Sequence, residues 1–588
     1  MTKSQDELLR RHIRNLTTDT NSADVSDVSM HRNDYLPVPS SPGLSTNHTQ
    51  STLWPTIRLS LVVLSIGAGS LFLVTLDSVV DNLLPPAHAF LMTIYDSSHK
   101  ADLAWEWIVA SRIYGLAAGC FLSVFLANQP SRKVPLITAL ALNFFGGAIS
   151  GLIMHVPHGV FVSCLGRFIN GVGSGIAQVI GLAMIADISP IRLRGTMLAT
   201  ATVWACIGEL IGMLLGLEVC LGSETLWHIA LIAPNLIIIP ALVVLVMAAE
   251  SPRCLLLKGD KDGAIKALQF YQNSDDWQAS LADFSNEFRS DQYAETERLL
   301  RKTSTSSLRT DQLLHSIKKR FHSGSFLRPL LLGSYVLTFV HIDDWLWISY
   351  STQVFENIGW SAKAATTTSL FIVIPQAIVS VLTLCFFDSF SRRTLIILPT
   401  VVSILSSILA IIGLTYGHLF GIIPVSLIVP VLAAVDLSAA AVASESAYSV
   451  TTELFMQRDR VLGGAIIGIL QNCFGGILTA TLLTVVNTYG TQFVLAPFIL
   501  TNIVYIFVLH KSLPETNGIS ATAIAKQFRD EIPAIFNYNL LSGTTAYLFA
   551  LYGRGRMANL FLFIVQISMI SIMFYLFAYS GKKLLFSS

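Results

Sequence analysis

The stretch GRFINGVGSGIAQVIGLAMIADISPIRLRG, Gly166 to Gly195, poses the problem of the fold. It belongs to an apolar run that begins near Gly159 and ends in a loop carrying Arg192 and Arg194. A helix needs about 20 mostly apolar residues to span a bilayer, and this run meets that length. Gly171, Gly173 and Gly175 would let neighbouring helix backbones approach closely, as small residues do where helices pack in lipid. The whole chain has the same character. Of 588 residues, 53% are hydrophobic and only 13% charged, against about a quarter charged in soluble globular proteins. An all-α membrane protein is expected. Neither the net charge of +1 nor any basic run with interleaved aromatics points to nucleic acid. The seven cysteines show no paired spacing of a disulfide framework or zinc site, so no metal and no cofactor is expected.

Comparable apolar runs begin near Leu59, Trp105, Val134, Gly159, Met197 and Trp227, then near Leu330, Ala365, Thr394, Gly421, Gly463 and Phe493. That pattern is six spans, a charged interruption and six more. Residues 1–56 are polar and read as a disordered tail, lacking a secretory leader and carrying sequons at Asn15 and Asn47. Residues 57–249 and 327–514 form the two six-helix bundles, and 250–326 a loop with short amphipathic helices in DKDGAIKALQFYQ and DQYAETERLLRK. Residues 515–588 hold a further apolar run, Asn559 to Tyr579, which either spans or lies in the interface; as a lone thirteenth span it would leave Lys582 and Lys583 outside.

One set of short loops carries Arg132, Lys133, Arg192, Arg194, Arg392, Arg393, Arg458 and Arg460, and the alternate set only Lys100 and Lys363. The first set, with the N-terminal tail and central loop, is therefore expected in the cytoplasm. No membrane address is legible, so the plasma membrane is the default, and a monomer in the lipid bilayer is expected.

Short motifs narrow the class. GRFINGVGSGIAQ, ISPIRLRG, ESPRCLL, SYSTQVFENIG, SRRTL, ELF with Arg460, and PETNG occur in order between about Leu59 and Gly518. In that order and spacing they resemble the sugar-porter branch of the major facilitator superfamily, which includes the facilitative glucose transporters. The resemblance implies two six-helix bundles working by alternating access on a small-molecule solute. It also implies a latch of acids and arginines at the cytoplasmic helix ends: Asp187, Arg194, Glu250, Arg253, Asp388, Arg392, Arg393, Glu453 and Arg460. The loop LANQPSRKVP keeps only Arg132 and Lys133 of the family's charged string, so a weaker contact is expected there.

Carried over residue by residue, the resemblance implies a substrate pocket at Thr202, Phe339, Val340, Trp345, Tyr448, Gln471 and Asn472. Most of these differ from the amides and indoles that the family uses for sugars. Each hydroxyl left unpaired would cost about 1–3 kcal/mol, which makes ordinary glucose transport a weaker expectation than the motifs alone suggest.

Helix seven carries Asp343 and Asp344. On a continuous helix Asp343 lies about 20 Å from the end near Leu330, between the directions of Phe339 and Val340, and Asp344 is turned toward the edge of that face. Asp343 is read either as a substrate or proton site, or as half of a structural pair with Arg112 or Arg167. Asp77 and Asp81 of the first helix are read as facing water at the outer mouth, with a coupling role open for Asp77; Glu209 and Asp436 are read as packing groups and His341 as a satisfied helix residue. Acids outnumber bases among these intramembrane charges, which favours a cation or held protons in the cavity. The expectation is a secondary carrier of a small organic solute, with a sugar or polyol as the first choice implied by the resemblance. An organic-cation or proton-coupled carrier is the alternative, and a non-transporting sensor comes from another class. Neither an enzyme nor a channel is expected.

Overall fold

The structure, a computed structural model, describes residues 53–69, 78–126, 131–190, 193–273, 276–282, 284, 320–321, 324–420, 425–517, 519 and 524. The tail with its sequons, Asp77, Arg192, DQYAETERLLRK and the run from Asn559 to Tyr579 with the lysines beyond it lie outside these residues.

The place of the first expected span is taken by two helices, α1 (Leu53–Gly69) and α2 (Val79–Ile94). Next come α3 (Ser98–Leu126), α4 (Lys133–Ser150), α5 (Gly159–Ile188) and α6 (Arg194–Leu215). A sixth crossing is assembled from a short turn at Trp227–Ala230, a 3-10 stretch and α7 (Ile238–Met247). The amphipathic α8 (Lys261–Tyr271) follows; just past it Gln272 Nε2 donates to Ile188 O at 2.9 Å, and Tyr271 OH to Ala249 O at 2.6 Å. The second half comprises α9 (Gly324–Phe339), α10 (Asp344–Asn357), α11 (Ala362–Phe386), α12 (Arg392–Phe420), α13 (Val425–Glu453), α14 (Gln457–Tyr489) and α15 (Thr491–Ser512). Among the described residues, ten helices are long and apolar enough to cross a membrane.

Glycines set the spacing of the first half. A Cβ added to Gly115 of α3 would fall 2.2 Å from Phe168 O of α5, and one on Gly171 of α5 only 2.1 Å from Arg112 O of α3. One turn on, Gly119 and Gly175 face Val172 O and Leu116 O, each at 2.2 Å. Gly173 turns the other way, toward Ala139 O of α4 at 2.5 Å. These glycines, on α5 or on the helix facing it, let α5 pack tightly against both α3 and α4. Between the halves, α14 runs along α3, and α11 and α13 run along α6.

The seventh span departs from the sequence expectation. It is not one helix: α9 ends at Phe339, His341 takes a left-handed φ of 43°, and α10 starts anew at Asp344. A positive φ is uncommon for any residue other than glycine. The projection of 100° per residue therefore fails between Val340 and Asp343.

The glycine seam gives the first prediction. Gly175→Ala places a methyl against the Leu116 carbonyl and should lower the unfolding midpoint of the detergent-purified protein, by about 1–3 kcal/mol of stability. Gly464→Ala of α14, with no atom within 4 Å of the new Cβ, should leave that midpoint unchanged.

Candidate functional site

A cavity of about 150 Å³ lies between the halves. Its wall takes Gln178 from α5, Thr202, Cys206 and Glu209 from α6, and Val340 and His341 from the break in the seventh span. Asp344, Trp345 and Ser349 of α10, Gln376 of α11, Ser444 and Tyr448 of α13, and Gln471 and Asn472 of α14 complete its polar and aromatic lining. Six of the residues carried over by resemblance, Thr202, Val340, Trp345, Tyr448, Gln471 and Asn472, therefore share one wall.

Two residues do not join it. Phe339 packs between Tyr335 and Phe474, with ring centroids 5.1 and 5.5 Å away. Asp343 is fully buried inside the second half, where Ser403 Oγ donates to its Oδ2 at 2.8 Å and Asn502 Nδ2 to its Oδ1 at 3.4 Å. The helix break turns Asp343 away from the cavity and brings Asp344 to it, reversing the order expected from an unbroken helix. Neither arginine proposed as its partner reaches it. Arg112 Nε donates to Asn170 Oδ1 and Arg167 Nε to Ile108 O, both at 2.7 Å and both within the first half. Asp436 sits behind Asp343, accepting from Trp347 Nε1 at 2.9 Å.

Sequence reasoning passed over Gln376 and Gln178 as wall residues. The signal for Gln376 was a lone amide inside the apolar run FIVIPQAIV. Its Nε2 donates to Glu209 Oε2 at 2.5 Å, which fixes the amide and leaves Oε1 without a donor. Asp344 Oδ1, Gln178 Oε1 and Gln471 Oε1 are likewise buried acceptors with no donor. The Tyr448 hydroxyl receives Gln178 Nε2 at 3.3 Å and Gln471 Nε2 at 3.2 Å, tying α5 to α13 and α14 beside the cavity. The site as a whole is rich in acceptors. Groups of this kind cost about 1–3 kcal/mol each while unpaired.

At the arginine-rich end the halves touch. Thr196 of α6 gives its hydroxyl proton to Asp388, and a Cβ on Gly195 would fall 2.2 Å from Arg392 Nη2. That guanidinium lies 2.7 Å from Asp388 Oδ1 and 3.9 Å from Glu453 Oε1, and donates to Phe387 O at 2.6 Å. Glu453 also accepts from Thr516 at 2.6 Å, and Arg460 Nε donates to Thr452 O at 3.0 Å. The first half has its own cluster. Glu250 collects the Ser131 hydroxyl and the Arg132 and Ser251 amides, the amides at 2.9 Å each, while Asp187 accepts from Ser251 Oγ at 3.0 Å and lies 4.0 Å from Arg132 Nε. The shortened loop thus holds Glu250 through backbone amides rather than through the missing arginines. Arg194 opens α6, Arg253 is buried in the short helix Pro252–Leu257, and Arg393 is half-buried beside Arg392.

The opposite end is joined by Asp81 of α2, which is fully buried rather than in water at a mouth. It accepts from Ser351 Oγ at 2.7 Å, Thr352 N at 3.1 Å and Thr352 Oγ1 at 2.9 Å, both residues in α10 of the other half. With contacts across both ends, the cavity between them is occluded.

Comparison with known proteins agrees with this geometry. The family model described as "Sugar (and other) transporter" matches residues 65–528. Facilitated glucose transporter member 3 of Oryctolagus cuniculus is 24% identical over 462 residues, 78% of this chain and 86% of that one. Facilitated glucose transporter member 9 of Mus musculus is 34% identical over a shorter 269 residues, 42% of this chain and 48% of that one. Among solved structures, the proton:xylose symporter XylE bound to 6-bromo-6-deoxy-D-glucose superposes with a TM-score of 0.65 at 16% identity, covering 81% of this chain and all of that one. Helices, cavity and family match converge: the chain belongs to the Sugar (and other) transporter family and is a multi-pass secondary carrier of the sugar-porter type.

Proposed function

We propose that the cargo is a small, donor-rich organic solute bearing a positive charge, a hydroxylated amine in preference to a neutral hexose, and that it moves by alternate opening of the two ends. One observation carries this reading. The wall presents Glu209, Asp344 and donor-less amide oxygens, and no lysine or arginine stands among the lining residues. A cation offering several N–H and O–H groups satisfies these acceptors and neutralises buried charge. Trp345 and Tyr448 add aromatic faces suited to a cation or a ring.

A second reading, a neutral sugar, is favoured by relatives named as glucose transporters and by the amides of Gln376, Gln471 and Asn472 on the wall. In either case Asp187, Arg194, Glu250, Arg253, Asp388, Arg392, Arg393, Glu453 and Arg460 act as the latch of one end, and Asp81 with Ser351 and Thr352 as that of the other. The distribution of Lys and Arg supports a cytoplasmic arginine-rich end and N-terminus; the plasma membrane and a monomeric state are the defaults that go with this reading.

Uptake by reconstituted full-length protein across amines, polyols and sugars tests the reading. Saturable uptake of a hydroxylated amine is expected, falling about 10- to 100-fold in kcat/KM in Asp344→Asn, the worth of one charge-assisted hydrogen bond. Sugar uptake that Asp344→Asn leaves intact would favour the neutral cargo, and absence of saturable flux for every solute would contradict a carrier altogether. The second latch is tested through Cys206, which lines the cavity. Asp81→Ala removes three hydrogen bonds across the halves and should speed modification of Cys206 by an impermeant maleimide, read by peptide mass spectrometry. An unchanged rate would show that Asp81 does not hold that end shut.

A further inference from the structure

Behind the cavity, the break in the seventh span brings three side chains together that are scattered in sequence. The ligating atoms of His341, Asp343 and Asp436 all lie within 4.8 Å of one another, and all three residues are buried. The two carboxyl groups are hydrogen-bonded to each other, and their remaining donors are all neutral. Asp343 accepts from Ser403 and Asn502, and Asp436 from Trp347 at 2.9 Å and Ser406 at 3.3 Å.

The protonation pattern of His341 follows from its neighbour. The Thr400 hydroxyl donates to Ile396 O at 2.8 Å, so toward His341 Nε2, 3.5 Å away, it can only accept. The ring proton therefore belongs on Nε2 and Nδ1 keeps a bare lone pair. That Nδ1 has no hydrogen-bond partner and lies 3.9 Å from Asp343 Oδ1, a lone pair facing a carboxylate. Asn502 shows the same deficit. Its amide N–H groups face Asp343, and its buried Oδ1 has no partner. Two carboxyl groups and an imidazole nitrogen thus come together behind the cavity.

We propose that His341 Nδ1, Asp343 and Asp436 form a binding site for a divalent first-row metal ion. Charge sets the valence, since a dication that displaces the proton shared by the two carboxyl groups is balanced by both carboxylates and a neutral imidazole. Ligand type sets the class, since imidazole with carboxylates suits zinc and its neighbours better than magnesium or calcium. The serine and tryptophan donors orient the carboxylates from behind, and Thr400 orients the imidazole, which is the arrangement that outer groups take around bound metals. His341 also lines the central cavity, so an ion there has only the imidazole between it and the site. The strained φ of 43° at this residue is the backbone feature that aims the ring inward. Occupation would tie the α9–α10 break to α13 directly, and to α12 and α15 through Ser403 and Asn502. This inference is independent of the cargo.

Its test uses chelator-treated full-length protein in detergent with Zn²⁺ alone, and Co²⁺ as a coloured substitute. One equivalent of Zn²⁺ should bind at micromolar concentration, and Co²⁺ should quench the fluorescence of Trp347, identified by difference against Trp347→Phe. Asp436→Asn and His341→Gln, checked for a monodisperse elution profile, should each weaken binding about tenfold or more. Binding that persists in the double variant would place the metal elsewhere and overturn the proposal. So would a wild-type protein that binds no stoichiometric metal; if its unfolding midpoint also rose on acidification, protons would be the neutralising charge. Should a variant fail to fold, the wild-type stoichiometry and the Trp347 quenching still decide.

Discussion

Inside hydrocarbon a helix can be interrupted only where protein or a cavity takes up the freed backbone groups, and the interruption from Val340 to Asp343 meets that condition on both of its sides. One side is the cavity wall formed by Val340 and His341; the other is the interior of the second half, where Asp343 meets Ser403 and Asn502. The chemistry of the site follows from this break. It presents Asp344 and Trp345 to the cavity, withdraws Asp343 from it, and turns His341 into a residue shared by the cavity and the acids behind.

The two ends of the cavity are closed by different devices. At one end Asp81 takes three hydrogen bonds from Ser351 and Thr352. At the other, Thr196 meets Asp388, whose side chain is 38% exposed, and Gly195 lets the Arg392 guanidinium come up against the first half. Hydrogen bonds to a charged group contribute about 1.5–3 kcal/mol net, so either end can exchange its partners for water without a prohibitive barrier. Cargo that pairs the free acceptors of the wall supplies free energy of the same order. Carriers need that balance: a stronger latch at either end would hold one state, and a weaker one would leak.

Much of this was legible in the sequence. The starts of the apolar runs located most of the helices to within about two turns, because hydrocarbon length and backbone satisfaction leave little choice. The glycines of α5 announced close packing, and the ordered motifs announced the family. What escaped was the local geometry of the seventh span. Neither glycine nor proline marks Val340 to Asp343, so a continuous helix was the natural projection, and it sent Asp343 to the cavity in place of Asp344. Partners of buried charges were also illegible. Asp343 has serine and asparagine where arginine was expected, and Asp81 bonds two hydroxyl residues some 270 positions away. Contacts that distant leave no periodic trace in one chain.

The central claim is that one cavity is served alternately by two ends that cannot both stay shut during transport. A disulfide across the arginine-rich end tests it most directly, built from Thr196→Cys and Asp388→Cys, whose native side chains are hydrogen-bonded across the halves. With the background cysteines replaced, oxidised protein in liposomes should show no flux, and a reductant should restore it. Undiminished flux through the fully cross-linked protein would contradict alternating access between these two halves.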